Sequence, residues 1–396
     1  MIKIVIYTIC LIKKIKICTT KFNIITIDCF LLNKKNLFLT HHIYKFDKSH
    51  YIRHMIIKDI TIYDIAKKLN IAPSTVSRGL KGYSTVSKKT QKKILSTAKA
   101  MGYQSNTFAA NLRKQRSNTI GVVIPKFNSY FMSDVIAGIE MVTNEAGFNL
   151  IISQSLENVE KEIRNLQTMF SSRVDGLLVS LAENTENIDH FNIFFNKGLP
   201  VLFFDRVPAE NSVPAIVINN EEAGYQATQH LLASGAKRIF HISGNQISSV
   251  YSERFKGYLR ALNEAGIQFD ESLLLIGDLN EATGIKAAAN IIQAHADGVF
   301  SSNDFCAASC MTELKKRGLR IPEDIKIVGF NNDMISRNVE PSLTTIDYPG
   351  ISMGEIAARN LVSHLSGQQD LQMMTKIVLR SELIIRNSSH ITAQHS

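Results

Sequence analysis

Apolar residues recur along this chain in two rhythms. Ile62, Ile65, Ala66 and Leu69 fall at helical spacing, with Asp64, Lys67 and Lys68 on the opposite face. Asn70 tolerates the left-handed conformation that ends such a helix, and Pro73 suits the first turn of the next. That second helix, 73–80, turns Val76 and Leu80 inward and shows Ser74, Thr75, Ser77 and Arg78 outward. Ser87 caps a third helix with Ile94, Leu95, Ala98 and Met101 inward, and Gly102 stops it. From residue 119 the rhythm changes. Runs apolar enough for burial on both faces, at 119–124, 148–153, 176–180, 201–205, 238–243, 298–302 and 325–330, alternate with helix-length patterns. Such alternation predicts parallel sheets with helices on both sides. Roughly 280 residues are too many for one sheet, so two similar lobes are expected.

Residues 1–54 follow neither rhythm. They hold no Gly, no Pro and no helix cap; 21–27 alternates weakly, without turns to fold it into a sheet. We expect an extension without native structure, translated upstream of a natural start at Met55. A basic nucleic-acid arm is the rival, and a native peptide spanning 21–34, detected by mass spectrometry, would decide for it. His41, His42, His50 and His54 lack the ordered Cys or carboxylate partners of a metal site.

Charge sharpens this division. The net charge of +10 is the sum of +8 over 1–54, +11 over 55–118 and −9 over 119–396. A basic head for a polyanion is joined to an acidic body. At 45% hydrophobic residues over 396 positions, global disorder is excluded. Five cysteines, Cys10, Cys18, Cys29, Cys306 and Cys310, form no disulfide framework and fit a reducing cytoplasm. Cys306 and Cys310 read as packed thiols. The apolar run 4–12 is cut short by Lys13 and lacks a cleavage site, so neither a membrane span nor secretion is expected.

Two short helices across a tight turn, with Ala66 permitting close approach, describe a helix-turn-helix whose second helix can enter a major groove. An amphipathic bundle with a solvated lysine face is the plainer reading. Against it stand Thr61-Ile-Tyr-Asp-Ile-Ala-Lys67, then Ser74-Thr-Val-Ser-Arg78, then Met101-Gly-Tyr103 and Asn106. In order and spacing these resemble the head of the lactose/galactose repressor family, and the resemblance runs through 60–386. It implies that Pro73, Ser74 and Arg78 meet base edges, Arg78 as a bidentate partner of guanine. Tyr63, Thr75 and Ser77 would set register on phosphate. It also implies a hinge helix over 106–116, capped by Asn106 and carrying Ala109 and Leu112, too short to stand alone. Leu112 would wedge into a central base step through the minor groove; its bland reading is a linker residue. The chain departs from the family at Ala72, where Ser often caps; at Gly79, where Val is usual; and at Ala110, where Arg is common. Gly79 costs roughly 0.5–1 kcal/mol inside a helix with no reason visible in the sequence.

The body lacks a Gly-x-Gly-x-x-Gly after a strand, a phosphate loop, His-Glu-x-x-His and Gly-x-Ser-x-Gly, so no enzyme is expected. Polar residues instead mark strand ends, where open α/β sheets bind ligands: Asn128, Asp205, Arg206, Asn220, Arg254, Asn303, Asp304 and 331–333. The resemblance implies a body like a periplasmic sugar-binding protein, two Rossmann-like lobes with an effector in the cleft. Ser252-Glu-Arg-Phe-Lys-Gly257 places Arg254 on sugar hydroxyls or carboxylates, Asp304 becomes a bidentate hydroxyl acceptor and Phe330 a stacking wall. Sugars and purines suit such a cleft equally. Asp205 and Arg206 also read as a mutual ion pair, and 331–333 as a turn.

The organisation expected is therefore a small all-α helix-turn-helix head plus an α/β body of two lobes of periplasmic-binding-protein type. Its boundaries are 1–54 extension, 55–104 head, 105–118 hinge and 119–396 body. The first lobe should take 119–221 and 347–370, the second 222–346 and 371–386, with a helix at 353–365 and a second-lobe strand at 376–385. Residues 341–346 should return between the lobes. Nothing beyond Arg386 shows the apolar heptads of a tetramerising coil. The function expected is a cytoplasmic homodimeric regulator, most simply a repressor, that binds an operator duplex and a small effector, without cofactor or metal. A sugar receptor with no DNA role leaves the basic head unexplained, and a sugar or nucleoside enzyme lacks a catalytic constellation.

Overall fold

A computed structural model describes residues 60–103, 116–209 and 213–390, together with the backbone of three strands nearer the amino terminus. The chain divides into two compact units, Met1–Asn106 and Thr107–Ser396, parting within the expected linker.

The first unit contains an antiparallel sheet of β1 (Lys16–Thr19), β2 (Ile24–Asn33) and β3 (Asn36–Lys45). No sheet was expected there. The sequence between β2 and β3 carries no Gly or Asn of the kind that usually signals a tight connection. The head follows as α1 (Ile62–Leu69), α2 (Pro73–Leu80) and α3 (Lys88–Met101). Its stops are those the sequence indicates: Asn70 and Gly102 both take the left-handed conformation, and Ser87 Oγ accepts from Thr90 N at 3.2 Å. Thr61 adds a start that sequence reasoning passed over. Its N–H and hydroxyl both donate to Asp64 Oδ2, at 2.8 and 2.7 Å, so Asp64 closes a capping box. Ile65, Ala66, Val76, Val86, Ile94 and Ala98 form the small core. Leu95, expected inward, is 49% exposed, one position outside the buried stripe of Ile94 and Ala98.

The second unit has two sheets of six strands. Its elements run β4 (Thr119–Ile124), α4 (Tyr130–Glu145), β5 (Asn149–Gln154), α5 (Val159–Ser171), β6 (Gly176–Val179), α6 (Asn192–Phe195), β7 (Val201–Phe204) and β8 (Ala215–Ile218). Then come α7 (Asn220–Ala233), β9 (Ile239–Ser243), α8 (Ser249–Glu264), β10 (Leu274–Ile276), α9 (Glu281–Gln293), β11 (Gly298–Ser301) and α10 (Asp304–Lys316). The chain closes with β12 (Lys326–Asn331), α11 (Met334–Asn338), β13 (Thr344–Asp347), α12 (Gly350–Leu365), β14 (Lys376–Leu379) and β15 (Glu382–Ile384). The first sheet is ordered β14-β8-β7-β6-β4-β5 and wholly parallel; the second is β10-β9-β11-β12-β13-β15, parallel except for β15 against β13. Fully buried runs such as Gly176–Val179 and Val201–Phe204 explain the unbroken apolar strands of the sequence.

The chain crosses between lobes after β8, after β13 and after β14. Two expectations are corrected. Residues 376–385 are not one second-lobe strand: β14 joins the first sheet, β15 the second, and Arg380 and Ser381 carry the crossing. Residues 341–346 are not the return crossing, because Thr344–Asp347 is itself a strand of the second sheet and the chain crosses just after it. β8, β10 and β13 escape the sequence reading, although β6, β7 and β11, at four residues, are hardly longer.

In each lobe one helix pair packs backbone against backbone. A Cβ at Gly224 would lie 2.3 Å from Arg254 O, and one at Gly257 2.0 Å from Glu221 O, so α7 and α8 meet where only hydrogen fits. This contact fixes the backbone of Arg254.

Candidate functional site

On the head, α2 begins at Pro73 in its first turn, with Ala72 offering no cap oxygen. Ser74 and Arg78 are exposed, Pro73, Thr75 and Ser77 half-buried, and Tyr63 on α1 is 68% exposed. A Cβ at Gly79, costly by sequence, would lie 2.4 Å from Ile94 Cδ1, the movable end of a side chain, so the contact between α2 and α3 does not by itself require glycine. Apart from Asp64, the described head has no acidic residue, while Lys88, Lys89, Lys92, Lys93 and Lys99 lie along α3. Asn106, Ala109 and Leu112 lie outside the described residues.

In the body, strand ends and helix starts of both lobes line a cleft of about 430 Å³. Of the residues singled out by sequence, Asn128, Asp205, Arg206, Arg254, Asn303, Asn331 and Asp333 line it. Arg254, 3% exposed, donates from Nε to Asn220 Oδ1 at 2.9 Å and from Nη1 to Ser302 O at 2.9 Å. Its guanidinium carbon lies 3.5 Å from the Phe330 ring centroid, a cation–π contact. Burial pulls its pKa down, while Tyr348, Tyr251 and Asp205 oppose the shift.

Asp205 and Arg206 do not pair with each other. Asp205 has a left-handed backbone, and its carboxylate accepts from Ser180 Oγ at 3.0 Å and Tyr348 Oη at 2.7 Å. Burial and the Asp205 charge hold Tyr348 well above the usual phenol range, so it donates. Arg206 binds Glu157 through Nη1 and donates from Nη2 to Tyr251 Oη at 3.0 Å. That second bond ties the first lobe to α8 of the second, as does Val207 N to Ser249 Oγ at 3.3 Å. Burial would raise Glu157, but Arg206 outweighs it and holds the carboxylate below its ordinary value.

Three expected ligand contacts take other places. Asp304 is fully buried, and its oxygens accept from Thr345 Oγ1 at 2.7 Å and Asp333 N at 2.8 Å. Burial, reinforced by the Asp333 charge, drives its pKa well up, so it braces the loop after β12 rather than offering a carboxylate to hydroxyls. Phe330 is buried beneath Arg254 and makes no wall of the cleft. Asn220 orients Arg254 from behind. Sequence reasoning passed over Lys126, Tyr130, Glu157, Tyr251, Asp278 and Tyr348, all of which line the cleft. Lys126 and Glu157 follow the ends of β4 and β5, where the strand-end rule would have found them. Tyr348 follows β13, a strand missed in the sequence.

The cysteines behave as expected for packed thiols. Cys306 and Cys310 are buried, and burial pushes Cys306 up to about 12. Among the described residues no cluster fits a metal, and no helix is long and apolar enough to cross a membrane.

Residues 61–106 match the family model of bacterial regulatory proteins of the lacI family, and 228–389 that of the periplasmic binding protein-like domain. Catabolite control protein A of Priestia megaterium is 31% identical over 78% of this chain and 93% of its own. The HTH-type transcriptional repressor PurR of Vibrio atlanticus (strain LGP32) is 31% identical over 81% of this chain and 98% of its own. A solved complex of the transcriptional regulator CelR with cellobiose superposes with a TM-score of 0.62 at 27% identity, over 83% of this chain and 99% of the other. A head that exposes a recognition helix, a two-lobed body around a polar cleft and these similarities agree: the chain belongs to the LacI family of transcriptional regulators, non-enzymatic proteins that join a DNA-binding domain to an effector-binding domain.

Proposed function

We propose that the protein is a cytoplasmic homodimeric repressor that reads a near-palindromic operator through α2 and releases or tightens it on binding a sugar-class effector between the lobes. The observation that carries the DNA half is the outward face of α2, where Arg78 and Ser74 stand exposed on a head almost free of acid. Arg78 reads guanine O6 and N7, Ser74 and Pro73 touch neighbouring base edges, and Tyr63, Thr75 and Ser77 hold phosphate. Residues 106–116 order as a hinge helix on DNA, with Asn106 as cap, Ala109 at the pairing face and Leu112 in the base step.

In the body, Arg254, Arg206, Asp205 and Asn128 face the effector, while Asn220, Asp304 and Phe330 position them. The cellobiose bound by CelR favours a sugar over a purine. The Arg206–Tyr251 bond spans the lobes, so a ligand that competes for it changes their angle and selects one of two states. A selection of bound sites from random duplexes tests the DNA half. Wild type should enrich one near-palindrome, and Arg78→Ala should lose that preference while keeping weak, salt-sensitive binding. Recovery of no common sequence by wild type would refute it.

A further inference from the structure

Two of the three cations of the cleft are paired with Glu157, and the third, Arg254, is held by neutral groups alone. Arg206 is held by Glu157 and Tyr251, and Lys126 Nζ lies 3.5 Å from Glu157 Oε1. Arg254 is committed through Nε and Nη1, with its face on Phe330. Against these three cations the lining carries four carboxylates, Glu157, Asp205, Asp278 and Asp333. Among the described residues, neither Asp278 nor Asp333 has a basic side chain within salt-bridge distance.

Three helix starts at the cleft, the usual places for an anion, are likewise taken, while α8, whose Ser248 makes no cap bond, is the exception. Ser129 Oγ accepts from Met132 N at 3.3 Å on α4, Asn280 Oδ1 from Thr283 N at 2.9 Å on α9, and Asn303 Oδ1 from Cys306 N at 2.8 Å on α10. Beside the two aspartates and the free edge of Arg254, what stays open is uncharged. Ser302 Oγ is buried on the cleft lining without a hydrogen-bond partner, Asn128 lies exposed at one lip, and Tyr130 and Phe305 expose 59% and 45% of their surface on opposing lobes.

We propose that the cleft selects an effector without negative charge, an unphosphorylated and uncarboxylated polyhydroxy ring compound, and that Asp278 and Asp333 are its specificity determinants. This rests on the sugar-class reading above. The two aspartates accept hydroxyl hydrogens and repel a phosphate or carboxylate brought between the lobes, and the single cation without an acidic partner, Arg254, does not offset both. Burial lifts Asp333 to about 6, so at neutral pH it is mostly ionised. Arg254, with Nη2 open, donates to one ring or hydroxyl oxygen.

The test is calorimetry and thermal shift on the full chain with cellobiose, glucose, glucose 6-phosphate, gluconate and inorganic phosphate. Binding by at least one neutral sugar, with the anions at least about tenfold weaker, is expected. Asp278→Asn/Asp333→Asn keeps the shape and, at 333, a capping residue; it should narrow that gap about tenfold by strengthening glucose 6-phosphate. Glucose 6-phosphate or gluconate binding wild type as tightly as the neutral sugars overturns the proposal and leaves the sugar reading intact. So does an unchanged preference in a folded Asp278→Asn/Asp333→Asn protein. Stabilisation by inorganic phosphate alone, with no sugar of either kind bound, overturns both.

Discussion

Arg78 and Arg254 each anchor one half of the proposed function, yet their surroundings are opposite. Arg78 stands exposed at the outer face of an eight-residue helix, with lysines along the neighbouring α3. Arg254 is buried on the face of Phe330, bound through two of its nitrogens and backed by a helix that touches its own backbone. A surface of the first kind acts as a sum of separate contacts. A cleft of the second kind acts as one network, in which a change to one member is felt by the rest.

Four measurements bear on that contrast. Arg254→Ala should cost about 2–4 kcal/mol in urea unfolding, because Asn220 Oδ1 and Ser302 O lose their donor inside the protein. Combined with Asn220→Ala the losses should fall well short of additive, and additivity would break the network view. His241 tests the buried side by pH. Its Nδ1 donates to Phe300 O at 3.0 Å, its Nε2 has no partner, and burial depresses it from 6.5 to about 4. The folded state then binds fewer protons than the unfolded one. Stability is intact above pH 6.5 and falls by about 3 kcal/mol as pH drops toward 4. Asp333, raised to about 6, changes stability in the opposite sense, gaining as acid protonates it. The readout is therefore wild type minus His241→Phe, in which the Asp333 contribution cancels; a difference flat with pH would count against the burial.

On the head, Arg78→Ala should remove about 1–3 kcal/mol of discrimination at one base pair and leave the unfolding curve within about 0.5 kcal/mol of wild type. A large loss of stability would mean that this arginine is structural after all. The smallest effect is expected from Tyr251→Phe, which deletes the hydroxyl bound by Arg206 and should cost about 0.5–1.5 kcal/mol in unfolding. A changed effector affinity with unchanged fold would mark the Arg206–Tyr251 bond as the contact a ligand competes for.

The same contrast governs what could be read from sequence. The head was legible nearly to the residue, since its signals are local: Asn70, Pro73, Ser87 and Gly102 punctuate helices whose outward faces follow from their inward ones. In the body the alternation gave the two lobes, and strand ends gave Arg254, Arg206, Asp205 and Asn128. It could not give the partners. Whether Asp304 faces a ligand or accepts from Thr345 depends on a contact 41 residues away, and Tyr348 with Asp205 on one 143 residues away. The strand at 376–385 was misplaced because a break at Arg380 and Ser381 moves the chain from one sheet to the other without a Gly or Pro to mark it.

The glycine contact between α7 and α8 has a bearing on how such a protein acquires new specificities. No side chain fits at 224 or 257, so the backbone beneath Arg254 admits almost no variation. An exposed face such as that of α2 can be rewritten one residue at a time without loss of fold. New operators are therefore within reach of single substitutions. New effectors must be accommodated around a fixed arginine, by exchanging the side chains at the lips of the cleft.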